Sequence, residues 1–190
     1  QSLKSAYSRI FRAMTASIGN LCAAEDTAHA QAVFWRVDLL TRWIYGFSAV
    51  CLVVLLNPFI SLWLGADYLF SMPIVLLIVL SFYVTGMRQS VLTFREAMGL
   101  YWYDRHKPLF ESAINLAVSI LLAKPFGIVG IFIGTVVSTL STCTWIEPCV
   151  LFRYGFGAQV SKYFTRYVLN TLLTAFAGAA TWCICALLPQ

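Results

Sequence analysis

The chain has 190 residues, of which 60% are hydrophobic and 11% charged, against about half apolar and about a quarter charged in an ordinary globular domain. Thirteen basic and eight acidic residues cannot coat a water-soluble body of this length, so lipid is the solvent that most of this surface suits. The net charge of +5 does not point to nucleic acid, because no run of Lys and Arg forms a patch and the aromatic residues interleave with Leu, Val and Ile.

Residues 1 to 20 are amphipathic, with Ser2, Ser5, Arg9 and Arg12 on one helical stripe and Leu3, Ile10, Met14 and Ile18 elsewhere. Two forms fit that pattern: a helix lying in the membrane interface, or the second half of a spanning helix whose polar stripe lines a cavity. Gly19-Asn20 is expected to end it in both. A bilayer core of about 30 Å needs about twenty helical residues, and five stretches supply them. Trp43 to Leu64 carries no charge, Leu69 to about Phe94 carries only Arg88, and Pro108 to Phe126 follows. Gly127 to Phe152 is interrupted by Glu147, and Tyr167 to Leu188 has no ionisable group except thiols. None alternates with period two, which disfavours a β-barrel. Asn57-Pro58 is placed to kink the first span, and Pro73 falls in the first turn of the second. Phe156 to Arg166, with Lys162 and Arg166 one turn apart beside Tyr163 and Phe164, reads as interfacial. The expected fold is all-α, a polytopic membrane helix bundle of five full transmembrane helices plus an N-terminal partial or amphipathic helix, forming a single membrane domain over residues 1–190.

Successive spans exit on opposite sides, and Lys and Arg should collect in alternate junctions. Arg36 and Arg42 precede the first span, Arg95, Arg105 and Lys107 separate the second and third, and Arg153, Lys162 and Arg166 separate the fourth and fifth. The other junctions contribute only Lys124, so the count is eight against one. This alternation predicts a multi-pass protein of the cytoplasmic membrane with its basic loops cytoplasmic. Trp35, Trp43, Tyr45, Trp63, Tyr68, Tyr101, Trp102 and Tyr103 stand at the boundaries as an interfacial belt. Gln1 does not open a signal peptide, and Leu187-Leu188-Pro189-Gln190 follows directly on an apolar run. An internal fragment is therefore expected.

An ion within the hydrocarbon costs about 2.5 to 3.5 kcal/mol at the centre, so each one asks for a reason. Arg88, Glu111 and Glu147 all lie toward the basic face, and Asn115 continues the Glu111 stripe. One reading is a polar vestibule in which Arg88 binds an anionic group while the carboxylates position it or carry a coupling cation. The other has Arg88 snorkelling and Glu111 paired with Lys107, four residues earlier. Arg9 and Arg12, one turn apart, suit two phosphates or plain lipid headgroups. His29 and His106 fall in polar loops and are expected to be solvated. Gly127, Gly130, Gly134 and Ser138 recur at a spacing that permits close helix packing. The six cysteines show no CxxC and no zinc-finger histidines, so neither a metal site nor a disulfide framework is expected. No Gly-rich phosphate loop and no Ser, His and Asp set is present, so no enzyme activity and no cofactor are expected.

Thr15 to Leu21, Leu55 to Gly65, Phe94 to Leu100, Asp104 to Leu116 and Trp145-Ile146-Glu147-Pro148 resemble, in matching order, the later half of bacterial polysaccharide flippases of the Wzx type. These belong to the multidrug/oligosaccharidyl-lipid/polysaccharide exporter superfamily. The resemblance implies twelve to fourteen helices in two pseudo-symmetric bundles, flipping undecaprenyl-diphosphate-linked oligosaccharide by alternating access, with this chain as part of the C-terminal bundle. It also implies its partners, namely the lipid bilayer, the lipid-linked oligosaccharide, the N-terminal half of the same transporter, and a polysaccharide polymerase with glycosyltransferases. The Arg9 and Arg12 positions depart from the family pattern. A cation-coupled multidrug exporter of the same superfamily and a non-transporting scaffold of a polysaccharide assembly complex are the alternatives.

Overall fold

The computed structural model describes the backbone of residues 2–24 and 26–187, and their side chains except at 2–4, 6, 8, 10–12, 186 and 187. The described residues are helical with no strand. Six helices follow in order: α1 (Ser2–Ala24), α2 (Thr27–Trp63), α3 (Met72–Ala97), α4 (Lys107–Phe126), α5 (Ile128–Phe156) and α6 (Ser161–Leu187). Short 3-10 turns, Ala66–Tyr68 and Leu100–Asp104, join α2 to α3 and α3 to α4. The helices α2 to α6 account for five segments long and apolar enough to cross a membrane.

Three boundaries differ from the expectation, each for a packing reason. Helix α1 runs through Gly19-Asn20 to Ala24. Gly19 does not take the left-handed conformation of a helix cap; it lies where α1 passes the Ala97 carbonyl at the end of α3. Helix α2 begins at Thr27, well before Trp43. Phe34, Val37, Thr41, Tyr45 and Ala49 form a buried stripe at helical spacing, so the charged residues between them interrupt the hydropathy without interrupting the helix. The stretch read as interfacial is likewise split: Gly157, at φ 62°, caps α5, and Tyr163 is already buried in the first turn of α6.

Phe34 organises one end of the bundle. Its ring meets Phe94 at 5.3 Å, Phe152 at 5.4 Å, Phe156 at 5.5 Å and Tyr163 at 6.3 Å between centroids, which brings the end of α3, the end of α5 and the start of α6 to one level beside α2. Tyr103 stacks on Tyr154 at 3.9 Å, so the junctions carrying Arg105 and Arg153 lie together. The basic residues thus gather at a single end, as the alternation requires. Three of the eight, Arg42, Arg95 and Lys107, are buried in ion pairs, and all eight except Arg105 lie within helices and not in loops.

The outward surface is hydrocarbon. Leu116, Ile120 and Leu121 on α4 and Leu172, Leu173 and Phe176 on α6 are exposed, an arrangement that water penalises and lipid does not. Together with the five long apolar helices, it makes this a multi-pass membrane protein.

Helices α4 and α5 form the closest pair, turning at Gly127 with φ 57°. A methyl group on Gly130 would fall 2.3 Å from the Leu122 carbonyl oxygen, whereas one on Gly178 would meet only Val50 Cγ2 at 3.9 Å. Gly130→Ala is therefore expected to destabilise the bundle by about 1 to 3 kcal/mol through overpacking against backbone, while Gly178→Ala, which has room for its methyl group inside α6, is expected to raise stability by up to about 1 kcal/mol. Thermal unfolding of the two purified variants in detergent distinguishes them.

Candidate functional site

Glu147 is the most enclosed ion of the bundle, with 0% of its surface exposed. It lies in Thr144–Val150, a short α-helical stretch of α5 between two π-helical stretches, Thr139–Cys143 and Leu151–Phe156. The adjacent Pro148 has no N–H to give to the carbonyl one turn back, which fits a helix whose winding departs from regular here. Arg88 marks a comparable break in α3, between Met72–Met87 and Gln89–Ala97.

The two irregular points face each other. Arg88 donates from Nε to Glu147 Oε2 at 2.8 Å and from Nη2 to Oε1 at 2.5 Å, the forked geometry that suits guanidinium and carboxylate. Lys107, in the first turn of α4, donates its Nζ to the same Oε1. Arg95 Nη1 is 3.7 Å from that oxygen and donates to Asp104 Oδ2. Lys107 Nζ reaches Asp104 at 4.0 Å, and Arg88 Nη1 reaches Glu111 Oε1 at 3.9 Å. Three cations and three carboxylates from α3, α4, α5 and the turn before α4 thereby cancel in charge. Glu111 is the open edge of the cluster, with its side chain 29% exposed.

This arrangement gives each of these residues defined partners. Arg88 does not snorkel to the interface, because two of its nitrogens are fixed on Glu147. Lys107 turns away from Glu111 to Glu147. Glu147 holds two cations at hydrogen-bond distance. Asn115 lies one turn beyond Glu111 and serves the α4–α5 contact, its Nδ2 lying 3.3 Å from both Thr135 Oγ1 and Ser138 Oγ. Arg9 is exposed on α1, and no contact among the described residues brings it to the cluster. The Arg12 side chain lies outside the described residues.

The place of Arg95, Asp104 and Lys107 in the sequence reads as a loop between two spans, so they carry no hydropathy signal that marks them as part of this site. A spacing signal exists: Arg88 and Arg95 are seven residues apart, two helical turns, and Asp104 and Glu111 repeat that interval in the sequence. A second buried pair escaped for the same reason. Arg42 Nε donates to Asp38 Oδ2 at 2.6 Å, one turn earlier in α2, and Ser90 Oγ donates to Asp38 Oδ1 at 2.9 Å. This pair anchors α2 two residues beyond Arg88.

The chemistry available is anion recognition at a held guanidinium. Nε and Nη2 of Arg88 are occupied, so the Nη1 edge, with only the long Glu111 contact, is the one presented outward. Removing the buried partner and removing the exposed one should differ sharply. Glu147→Gln strands Arg88 and Lys107 and is expected to cost about 3 to 5 kcal/mol; Glu111→Gln loses a long, partly solvated pair and is expected to cost under about 1 kcal/mol. Thermal unfolding in detergent and expression level measure both. A search of protein-family models, of curated proteins and of solved structures finds no match to this chain.

Proposed function

We propose that this chain is part of a flippase that moves undecaprenyl-diphosphate-linked oligosaccharide across the cytoplasmic membrane for surface polysaccharide synthesis. The single observation that carries the reading is Arg88: a guanidinium inside a membrane bundle, held from behind by a buried carboxylate, with its free edge beside a partly exposed one. A diphosphate is dianionic and planar forks of donors suit its oxygens. In this mechanism Glu147 and Lys107 fix the direction of Arg88, and the incoming phosphate replaces Glu111 at Nη1. Because the contact it replaces is long, the exchange costs little and is readily reversed, which a carrier needs. The resemblance of the Asp104 to Leu116 and Trp145 to Pro148 stretches to polysaccharide flippases supports the same substrate class. The basic end then faces the cytoplasm, where the substrate is made, and the N-terminal half of the transporter supplies the opposite wall.

Glu111 favours a second reading, a cation-coupled exporter, since it is the one carboxylate of the cluster with a weak partner. The two separate in the full transporter, expressed in cells that depend on it for surface polysaccharide. Arg88→Lys keeps the charge and loses the fork, and at normal protein level it is expected to lower export about tenfold. Glu111→Gln is expected to leave export intact in a flippase and to abolish it in a cation-coupled exporter. Full export by both variants at normal abundance would leave the scaffold reading standing.

A further inference from the structure

A second polar feature lies outside the cluster. Between α2 and α6 runs a cleft of about 610 Å³, lined on one wall by α2 from Arg42 to Leu55 and on the other by α6 from Asn170 to Thr181. The thirteen helical steps from Arg42 to Leu55 at about 1.5 Å each make it about 20 Å long, close to the about 15 Å of one leaflet. Its walls are mostly apolar, and Trp43 and Phe47 on its rim are exposed, so it opens sideways where the surrounding medium is lipid.

One end is charged. Arg42 is 4% exposed, and of its five N–H donors only the one on Nε has a hydrogen-bond acceptor, Asp38. Nη1 and Nη2 are buried with no hydrogen-bond partner among the described residues. The rings of Tyr163 and Tyr167 lie 5.1 and 5.6 Å from the guanidinium carbon, which eases the burial of the charge but leaves four N–H groups without an oxygen. A buried donor left without an acceptor is destabilising, so an acceptor supplied from outside the chain would be favoured. Along α6 the polar side chains of the cleft donate to their own helix, Asn170 Nδ2 to the Arg166 carbonyl, Thr174 Oγ1 to the Asn170 carbonyl and Thr181 Oγ1 to the Ala177 carbonyl. Arg42 is the charged group lining the cleft and has buried donors to spare, and it stands at the end of the bundle where the exposed Arg36 and Arg166 also lie.

We infer that this cleft is a binding site for an anionic phospholipid, with the phosphate on the terminal nitrogens of Arg42 and one acyl chain laid along α2 and α6. The length, the apolar walls, the sideways opening and the unspent cation at the headgroup level each match that occupant. A choline headgroup would bring a further cation to an end that already carries Arg36, Arg42 and Arg166, so a lipid with net negative charge is preferred. The site is independent of the substrate assigned to Arg88, and either can fail without the other.

Native mass spectrometry of the purified chain, released from detergent after incubation with equimolar phosphatidylglycerol and phosphatidylcholine, tests this. The wild type is expected to retain one phosphatidylglycerol in preference to phosphatidylcholine by about fivefold, the factor for about 1 kcal/mol from one basic side chain. Ala177→Phe fills the cleft from an exposed position without touching Arg42. It is expected to lose the retained lipid while keeping the wild-type unfolding temperature. Arg42→Gln combined with Asp38→Asn removes the charge in balance and is expected to bring the two lipids to parity. Equal retention of both lipids by the wild type, or undiminished phosphatidylglycerol on Ala177→Phe, would overturn the proposal. So would displacement of the lipid by millimolar inorganic phosphate, which would mark a plain anion site.

Discussion

A carboxylate can stay ionised inside a membrane bundle only if cations reach it, and the arrangement of α3, α4 and α5 follows from how Glu147 is reached. Arg88 comes from one neighbour and Lys107 from the other, onto the same oxygen. Both side chains need the α5 helix turned so that position 147 faces inward, and the π-helical stretches on either side of it are where the helix departs from regular winding. The directional contacts restrict sliding and rotation of the three helices in a way that apolar packing alone, with its tolerance of exchange among Leu, Ile and Val, does not.

The remaining helices attach to that frame by other means. Asp38 in α2 accepts from Ser90, two residues past Arg88, and Phe34 one turn earlier collects the rings of α3, α5 and α6. The polar layer and the aromatic layer are thus contiguous at one end of the bundle. Toward the other end the polar contacts are sparser. There Asn57 holds the turn before α3 through the Phe70 backbone, and glycines let α4 and α5 touch.

The spans were legible in the sequence because lipid imposes a length and an apolar composition together, and both survive without knowledge of neighbours. Their count and the one-sided gathering of basic residues stand. Helix starts were less legible, since a helix entering the bundle through a polar layer, as α2 does at Asp38 and Arg42, loses its hydropathy signature before it loses its hydrogen bonds. The convergence of Arg88, Glu111 and Glu147 was foreseen as a common location, yet the pairing was not. Lys107 is one helical turn from Glu111 and 40 residues from Glu147, and sequence proximity favours the wrong partner. Glu147 takes it because a fully buried carboxylate gains more from a cation than a partly solvated one.

The separation of Arg88 from Glu147 along the chain also bears on how the protein is made. Arg95 finds Asp104 after nine residues, but Arg88 waits 59 residues for its partner. At the usual pace of synthesis, about 5 to 20 residues per second, α3 leaves the ribosome some seconds ahead of α5. Through that interval an unpaired guanidinium would carry the insertion penalty of about 2.5 to 3.5 kcal/mol at full depth. Biogenesis therefore favours holding α3 at the translocon, or shallow in the bilayer, until α5 emerges, so that the three spans enter as a group and not one at a time.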